Sequence, residues 1–198
     1  MVIHVIIYKI GIVILNFINL FFKLLPTKNK VTMISRQSNN ESLDFKLLRE
    51  RLNKNYPDIE VVTLCHKLDG GINSTLKTKI KYVLHMFKQM YHIATSKVVV
   101  LDSYCMVISI LKNKKDLKVI QLWHSMGAIK KFGYQSLDKE GGNSSKVAKV
   151  MKMHNNYDYV ISGSRAMTKY FSQAFNVPEE KFINCGLPRV DYIIENSG

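Results

Sequence analysis

The sequence predicts an α/β fold, a Rossmann-like parallel sheet with helices on both faces, behind an apolar N-terminal helix. Short β-branched runs alternate with helix-like stretches along the chain, which is typical of a parallel sheet covered by helices. Near-continuous apolar runs such as VVVLD at 98–102 suit strands that are buried on both faces. A chain of 198 residues is long enough for one sizeable domain.

The individual elements follow from these patterns in chain order. β-branched runs predict strands at residues 31–35, 59–65, 98–102, 118–124, 157–162 and 182–186. Helical spacing of apolar residues predicts helices at 43–54, 76–95, 146–154 and 165–175. We therefore expect two units, a membrane-associating helix at 1–26 and a Rossmann-like lobe at 30–198.

The N-terminal segment 2–25, VIHVIIYKIGIVILNFINLFFKLL, carries only two charged side chains, Lys9 and Lys23. A stretch of ~20 apolar residues is long enough to span a bilayer, but Asn16 and Asn19 interrupt this one. The segment therefore favours a helix in the membrane interface or a tilted anchor. The alternative is a buried first helix of the globular domain. We expect three aromatic side chains to face the membrane, namely Phe17, Phe21 and Phe22.

Lysines cluster directly after this segment, at Lys23, Lys28 and Lys30. By the positive-inside rule, they place the rest of the chain at the cytoplasmic face of the plasma membrane. No small-residue cleavage site follows, so removal of the segment as a signal peptide is not expected. The sequence therefore predicts a peripheral protein or one with a single N-terminal anchor.

The chain is strongly basic, with 29 Lys and Arg residues against 15 Asp and Glu residues and a formal net charge of +14. Nucleic acid, an anionic membrane surface and phosphate-rich substrates are the partners that such an excess fits. No nucleic-acid-binding motif accompanies the charge, so we expect no nucleic acid partner. The three cysteines lack C-x-x-C spacing, which indicates free thiols in a reducing compartment and no metal site.

The helix predicted at 76–95 has two contrasting faces. We expect its apolar face to pack on the sheet, through Leu76, Ile80, Val83, Leu84, Phe87, Met90 and Tyr91. The opposite face carries Lys77, Lys81, His85, Lys88 and His92. This basic face is either an ordinary solvated surface or a surface that lies against anionic lipid headgroups or a polyphosphate chain.

Polar residues follow the predicted strands, at the edge where an open parallel sheet binds its ligands. Hydroxyls, glycines, arginines and one histidine gather there, which favours a phosphorylated ligand. The expected phosphate-binding or acceptor-binding residues are Arg36, Ser38, Ser125, Gly127, Lys130, Lys131, Ser164 and Arg189. Ser164 either holds phosphate or simply caps the next helix. Asp102 either orients a neighbour or caps the helix after it.

His124 is the candidate catalytic residue, because a strand delivers it to the ligand-binding edge and its pKa suits a general base. The alternative is a histidine that is merely hydrogen-bonded to the backbone. Small residues and two lysines follow it in QLWHSMGAIKK, which favours an anionic ligand. The glycine signatures of dinucleotide and nucleotide triphosphate sites and the G-x-S-x-G nucleophile elbow are all absent from the sequence.

Three stretches together resemble one family. They are SRQSNNESLDFKLL, VIQLWHSMGAIKKFGY and YDYVISGSRAMTKYFSQAFNVPEEKFINCGLPRVDYI, which lie between Val31 and Ile194. The chain resembles the CDP-glycerol glycerophosphotransferases, the teichoic acid primases and polymerases of Gram-positive bacteria. This resemblance implies a two-lobed GT-B fold at the inner membrane leaflet. It also implies transfer of glycerol phosphate from CDP-glycerol to a hydroxyl of a lipid-linked polyol-phosphate acceptor.

Carried over by position, the family's base corresponds to His124, its trailing basic residues to Lys130 and Lys131, and its Gly-Leu-Pro-Arg motif to Arg189 and Asp191. The donor is then CDP-glycerol or another CDP-polyol, and no tightly bound cofactor is expected. The family's second lobe carries the nucleotide-donor site. We expect this chain to be the acceptor-side lobe, with another chain or segment supplying the donor lobe. The alternative is a non-catalytic membrane-bound module that binds the acceptor or acts as a scaffold.

Overall fold

The computed structural model describes residues 2–67 and 75–197 and contains a six-stranded, all-parallel sheet. The strands are β1 Lys30–Ser35, β2 Glu60–Cys65, β3 Val98–Leu101, β4 Lys118–Gln121, β5 Tyr159–Ser162 and β6 Phe182–Asn184. The helices are α1 Val2–Lys23, α2 Leu43–Asn55, α3 Leu76–Thr95, α4 Met106–Ile110, α5 Ser145–Val150, α6 Arg165–Phe175 and α7 Pro188–Asn196. The predicted Rossmann-like parallel sheet is confirmed.

The strand order β2-β1-β3-β4-β5-β6 has its reversal between β1 and β3. The chain leaves β1 towards one side of the sheet to form β2 and then returns to add β3 on the other side. Loops that leave β1 and β3 therefore diverge and open a crevice at the carboxyl edge, where such sheets bind ligands. The register, with Ile34 opposite Leu101, places Arg36 and Asp102 on neighbouring strands at this crevice.

Two apolar layers hold the sheet between its helices. One face packs against α3, α4 and α6 through fully buried side chains that include Ile34, Met90, Leu101, Ile108 and Phe171. The other face packs against α2 and α7 through Met33, Phe45, Val100 and Leu187. Helices therefore cover both faces, as the continuous apolar strands predicted.

Helix α1 lies along the lobe with one side against it. Ile12, Leu15, Ile18 and Phe22 pack against the core, whereas Phe17 and Phe21 are each 61% exposed. The prediction that Phe22 faces outward is therefore wrong, because five residues advance a helix by about 500°, which turns Phe22 away from Phe17. The membrane-interface interpretation thus describes the outer face of α1, and the buried-helix interpretation describes its inner face.

Asparagines fix α1 to the loop between α4 and β4. The Asn16 side chain donates to the carbonyl of Ile110 at 3.0 Å and accepts from the backbone N–H of Lys112 at 2.9 Å. The buried Asn19 donates to the carbonyl of Lys112 at 3.3 Å. These residues, which interrupt the apolar run, thus satisfy backbone groups of the lobe instead of facing lipid.

Three local predictions were wrong. The apolar side chains in the first half of α3 are exposed, with Leu76 at 74% and Leu84 at 63%, so they do not pack on the sheet. The predicted strand at 118–124 ends at Gln121 because Trp123 is left-handed, with φ of 63°. The predicted helix at 146–154 ends at Val150 because Lys152 and His154 also have positive φ.

Candidate active site

The turn after β4 is built on Trp123, a non-glycine residue with φ of 63°. Its backbone N–H donates to the side-chain oxygen of Gln121 at 2.9 Å, and its indole stacks on Phe132 with ring centroids 4.7 Å apart. Phe175 meets the indole edge-on at 5.0 Å. These contacts offset the ~1–2 kcal/mol that a left-handed residue costs and hold the next residue in one position.

His124 is half-buried at the carboxyl edge of the sheet, and its Nδ1 lies 3.0 Å from the backbone carbonyl of Asp102. Because a carbonyl oxygen only accepts, Nδ1 carries the proton in this contact. The other ring nitrogen, Nε2, then has its lone pair free to accept a proton. In His124, Nδ1 is thus hydrogen-bonded to the backbone, and Nε2 has no hydrogen-bond partner in the described part of the chain.

Asp102 is 1% exposed, and both of its carboxylate oxygens are buried without a hydrogen-bond partner among residues 2–67 and 75–197. Burial raises the pKa of Asp102, while the nearby Ser35 and Ser103 hydroxyls and the side chains of His124 and Arg189 oppose that rise. A buried carboxylate without a full partner is costly and is typical of functional sites. Asp102 does not cap α4, which begins after Cys105.

Arg189 is held by a buried carboxylate rather than left free for a ligand. Its Nε donates to Asp44 at 2.5 Å, its Nη2 also contacts that carboxylate, and its backbone N–H donates to Asp44 at 2.8 Å. Its Nη1 donates to the backbone carbonyl of His124 at 2.7 Å. Arg189 therefore joins α2, α7 and the His124 turn and positions the histidine from behind.

Arg36 follows β1 and has both used and unused donors. Its backbone N–H donates to the Ser103 hydroxyl at 3.1 Å and its Nη1 to the carbonyl of Tyr104 at 3.1 Å. Its Nε is buried without a partner in the described part of the chain, as is Nε2 of His66, which follows the adjacent strand. Ser38 lies further out, in a turn where its hydroxyl donates to the Asn40 carbonyl.

The small-residue loop after His124 is only partly organised for an anion. The Ser125 hydroxyl donates to the Gly127 carbonyl at 2.7 Å, and Lys130 and Lys131 are exposed beyond it. An added Cβ at Gly127 would come no closer than 3.8 Å to Met167, so packing does not require glycine there.

The loop after β5 leads into α6 at the same edge. Ser164 is exposed and occupies the N-cap position of α6, as the capping interpretation predicts, but its side chain makes no capping hydrogen bond in the described part of the chain. Helix α6 has 11 residues, and its first backbone N–H groups lie at this edge of the sheet. The N–H groups and the dipole at a helix N-terminus favour an anion.

Asp191 lies away from the His124 edge. It lines a cavity of about 470 Å³ between the sheet face and helices α2 and α7, together with Ile120 and Tyr192. The structure thus brings His124, Arg36, Ser125, Ser164 and Arg189 to the carboxyl edge, and places Asp191 on the adjoining sheet face.

Comparison with known proteins identifies the family. The family model described as CDP-Glycerol:Poly(glycerophosphate) glycerophosphotransferase matches residues 16–198. The chain belongs to this family. The resemblance read from the sequence motifs is therefore confirmed.

Curated relatives in this glycerophosphotransferase family are teichoic acid enzymes. A teichoic acid ribitol-phosphate primase of Bacillus spizizenii is 36% identical over 170 residues, which are 85% of this chain and 42% of that protein. A teichoic acid glycerol-phosphate primase of Bacillus subtilis is 32% identical over 117 residues, 59% of this chain and 31% of that protein. The chain thus spans less than half the length of these relatives.

Solved structures show the same fold. A variant of the wall teichoic acid polymerase TagF superimposes with a TM-score of 0.67 over 99% of this chain and 49% of that one, at 17% identity. A second structure of the same polymerase, soaked with CDPG, gives a TM-score of 0.63 over 99% of this chain and 51% of that one, at 18% identity. The predicted likeness to this fold family is confirmed.

Sequence reasoning missed two residues of the site. Asp44 is an ordinary acidic residue in the first turn of α2, and no local pattern shows that Arg189 lies 145 positions away and pairs with it. His66 follows β2, the strand adjacent to that of Arg36, and no motif around it marks it in the sequence. Strand order, which brings both residues to one edge, was the signal that could have found His66.

Proposed function

We propose that this chain is the acceptor-side lobe of a CDP-polyol phosphotransferase of cell-wall polymer synthesis, with His124 as general base. The observation that carries the proposal is the His124 imidazole, whose Nδ1 is bound to the Asp102 carbonyl so that Nε2 is free at the sheet edge. Family membership and the teichoic acid primase relatives support the reaction class. A CDP-polyol such as CDP-glycerol is the proposed donor.

In the proposed reaction, an acceptor hydroxyl oxygen attacks the β-phosphorus of the CDP-polyol. The bond from that phosphorus to the bridging oxygen breaks, CMP leaves with the electron pair, and Nε2 of His124 takes the hydroxyl proton. The Asp102 carboxylate stabilises the imidazolium that forms. Lys130, Lys131 and the first N–H groups of α6 offset the charge of the phosphates.

The test joins this chain to a donor lobe, for which the C-terminal half of the ribitol-phosphate primase relative is one source. Transfer from radiolabelled CDP-glycerol and CDP-ribitol to a lipid-linked acceptor is measured for the parent and for His124→Ala. A general base contributes roughly 100- to 10,000-fold, so we expect a rate loss in that range. Lys169→Gln, an exposed change on α6, is the control. Undiminished transfer by His124→Ala would remove this residue from the base role.

The choice of polyol belongs to the same experiment. Relatives with ribitol-phosphate and with glycerol-phosphate in their names both match the chain, and the ribitol-phosphate primase matches over a longer stretch. We propose ribitol phosphate as the first donor group to assay beside glycerol phosphate. A ratio of transfer rates above tenfold would assign the polyol.

We further propose that α1 attaches the chain to the cytoplasmic face of the membrane. By length and composition alone, Val5–Lys23 qualifies as a candidate span, with a mean hydropathy of 2.2. Its inner side is bonded to the lobe through Asn16 and Asn19, which favours a helix lying in the interface. The exposed lysines Lys77, Lys81 and Lys88 on α3 are proposed to face the anionic headgroups.

A non-catalytic module that holds the acceptor is the second candidate. The observations that favour it are the apolar helix α1 and the exposed lysines Lys77, Lys81 and Lys88, which suit a membrane-bound acceptor and need no catalytic group. In that case the 198-residue chain binds a lipid-linked acceptor on vesicles but transfers nothing, whichever donor lobe is added. Donor-dependent transfer by any such pair would exclude a purely scaffolding role.

A further inference from the structure

We propose a second anion-binding site, for the phosphodiester group, at the edge of the sheet opposite to His124. It is formed by Lys112, Lys115, Lys152, Lys181, Asn155 and Asn156, which we call the lysine cleft. The cleft consists of two adjoining cavities of about 390 and 420 Å³, which share Lys152, Lys181 and both asparagines. A phosphodiester group can bind there without any transfer reaction, so the lysine cleft adds a binding function to the proposed one.

The position of the cleft separates it from the candidate active site. It lies where β4 and β5 begin, beside Leu117 and Asp158, whereas His124 follows the far end of β4. A strand rises ~3.3 Å per residue, so the four residues of β4 set the Leu117 and Asp158 end of the cleft ~13 Å from the start of the His124 turn. One phosphate group cannot occupy both.

The charge of the cleft is one-sided. Among the described residues, the two cavities are lined by five lysines, namely Lys112, Lys114, Lys115, Lys152 and Lys181, and by a single carboxylate, Asp158. That carboxylate is already engaged, since it accepts from the backbone N–H of Val119 at 2.8 Å and pairs with Lys118 at 3.6 Å. The cleft therefore holds excess positive charge that its own acid does not neutralise.

Three of the five amines remain available. Lys114 donates to the carbonyl of Leu25 at 2.5 Å and Lys181 to that of Tyr157 at 2.7 Å. Lys112, Lys115 and Lys152 are exposed, and their side-chain amines form no hydrogen bond or ion pair in the part of the chain that the structure describes. Phosphodiester oxygens only accept hydrogen bonds, so they match a site whose free groups are donors.

Carbonyls near the cleft that would repel an anion are covered. The Asn156 side-chain amide donates to the carbonyl oxygens of Ile108 at 2.8 Å and Leu111 at 3.1 Å, and so satisfies acceptors at the end of α4. Asn113 donates to the same Ile108 carbonyl at 3.2 Å. These two carbonyls are thus occupied, whereas the Asn113 side-chain oxygen is buried without a hydrogen-bond partner among the described residues.

The neighbouring α1 indicates where a phosphodiester would come from. The loop that carries Lys112 is bonded to Asn16 and Asn19, and Lys114 holds the segment after α1. The outer face of α1 is apolar and exposed, so a membrane held by it would bring phosphates near the cleft. An anionic phospholipid headgroup and a soluble polyol-phosphate chain share this chemistry, and the experiment separates them.

The test uses the full chain and two vesicle types, pure phosphatidylcholine and a 3:1 mixture with phosphatidylglycerol. The variant Lys112→Gln/Lys115→Gln/Lys152→Gln is compared with Lys46→Gln/Lys54→Gln/Lys169→Gln, which loses the same charge from exposed positions on α2 and α6. We expect the phosphatidylglycerol-dependent part of the affinity to fall roughly 100-fold in the cleft variant and less than about threefold in the control. A Lys→Arg triple variant of the cleft should retain binding.

A soluble glycerol-phosphate oligomer is then added as competitor. If the oligomer displaces the parent protein from the mixed vesicles but does not displace the cleft variant, the site binds a polyol-phosphate chain. If the oligomer does not displace the parent protein, the site binds the lipid headgroup. An equal loss of affinity in the cleft and control variants, or no loss in either, overturns the proposal. His124→Ala should bind vesicles like the parent, so failure of the transfer mechanism and failure of the cleft are distinguishable.

Discussion

At the scale of single residues, the position of His124 depends on partners that are distant in the chain. Trp123 before it is left-handed, Asp102 binds its ring, and Arg189 binds its carbonyl. The pattern KVIQLWH predicts a strand that runs into the histidine, because Val119, Ile120, Leu122 and Trp123 all suit a buried strand. The sequence was therefore sufficient to select His124 as the candidate base, whereas it did not predict the turn that orients its side chain.

Gly133, in the aromatic-glycine-aromatic turn after the lysines, has φ of +56°, and a Cβ built there would lie 2.2 Å from the carbonyl oxygen of Ala174. We expect Gly133→Ala to lower the free energy of unfolding by about 3 kcal/mol or more, from the clash and the left-handed backbone together. Urea denaturation followed by circular dichroism measures this loss.

Gly141→Ala is the matched control, because Gly141 has φ of +71° with open space around it. The control change should lower the free energy of unfolding by only ~1 kcal/mol, the cost of a left-handed alanine. Equal losses in the two variants would show that the contact with Ala174 adds nothing.

At the scale of elements, α1 and α3 show what periodicity can and cannot predict. Helical spacing correctly placed Leu76, Ile80, Val83 and Leu84 on one face of α3, but it does not say what covers that face. These residues are exposed, and α3 becomes buried only in its second half, from Met86 onwards. Exposed apolar surface on both helices is the element-scale reason to expect a membrane interface.

Phe17 and Phe21 on the outer face of α1 provide the element-scale prediction. We expect Phe17→Ser/Phe21→Ser to weaken vesicle binding by about tenfold per residue, because burying an aromatic side chain contributes ~1.5 kcal/mol or more. The free energy of unfolding should change by less than ~0.5 kcal/mol, since both rings are exposed. Vesicle cosedimentation and urea denaturation measure the two effects.

Phe22→Ser is the matched control on the inner face of the same helix, where Phe22 packs against the core. It should destabilise the lobe and leave the outer apolar face intact. A drop in vesicle binding by Phe22→Ser equal to that of the double variant would contradict an interface formed by the outer face.

At the scale of the whole molecule, the free energy of unfolding depends on histidines that burial keeps uncharged in the folded chain. Burial lowers the pKa of His154 to about 3, and burial together with the charges of His66 and Lys88 lowers the pKa of His85 to about 4. Nδ1 of His154 lies 3.0 Å from the Tyr157 hydroxyl, and its ring lies beside those of Trp123 and Phe175. An unfolded chain protonates both histidines near pH 6.5, so acid favours unfolding.

We expect the contribution of His154 to be complete above pH 7 and to decline as pH falls towards its folded-state pKa. Between pH 7 and pH 5 this single group should lower the free energy of unfolding by about 2 kcal/mol. His154→Gln should lack that part of the pH dependence while keeping the part due to His85. Urea denaturation at both pH values measures it, and an identical decline in the two chains would contradict the assignment.

The sequence by itself determined the class of fold, the place of His124 in the segment that follows β4, and the family. These three features follow from local patterns, because β-branched runs, helical spacing and short motifs each involve residues that are close together in the sequence. Tertiary structure alone decided that Arg189 pairs with Asp44, that Asp102 is a buried carboxylate beside the histidine, and that Phe22 faces inward. The lysine cleft likewise gathers residues from three separate loops. Burial and charge pairing depend on which surfaces meet in space, and a one-dimensional pattern does not carry that information.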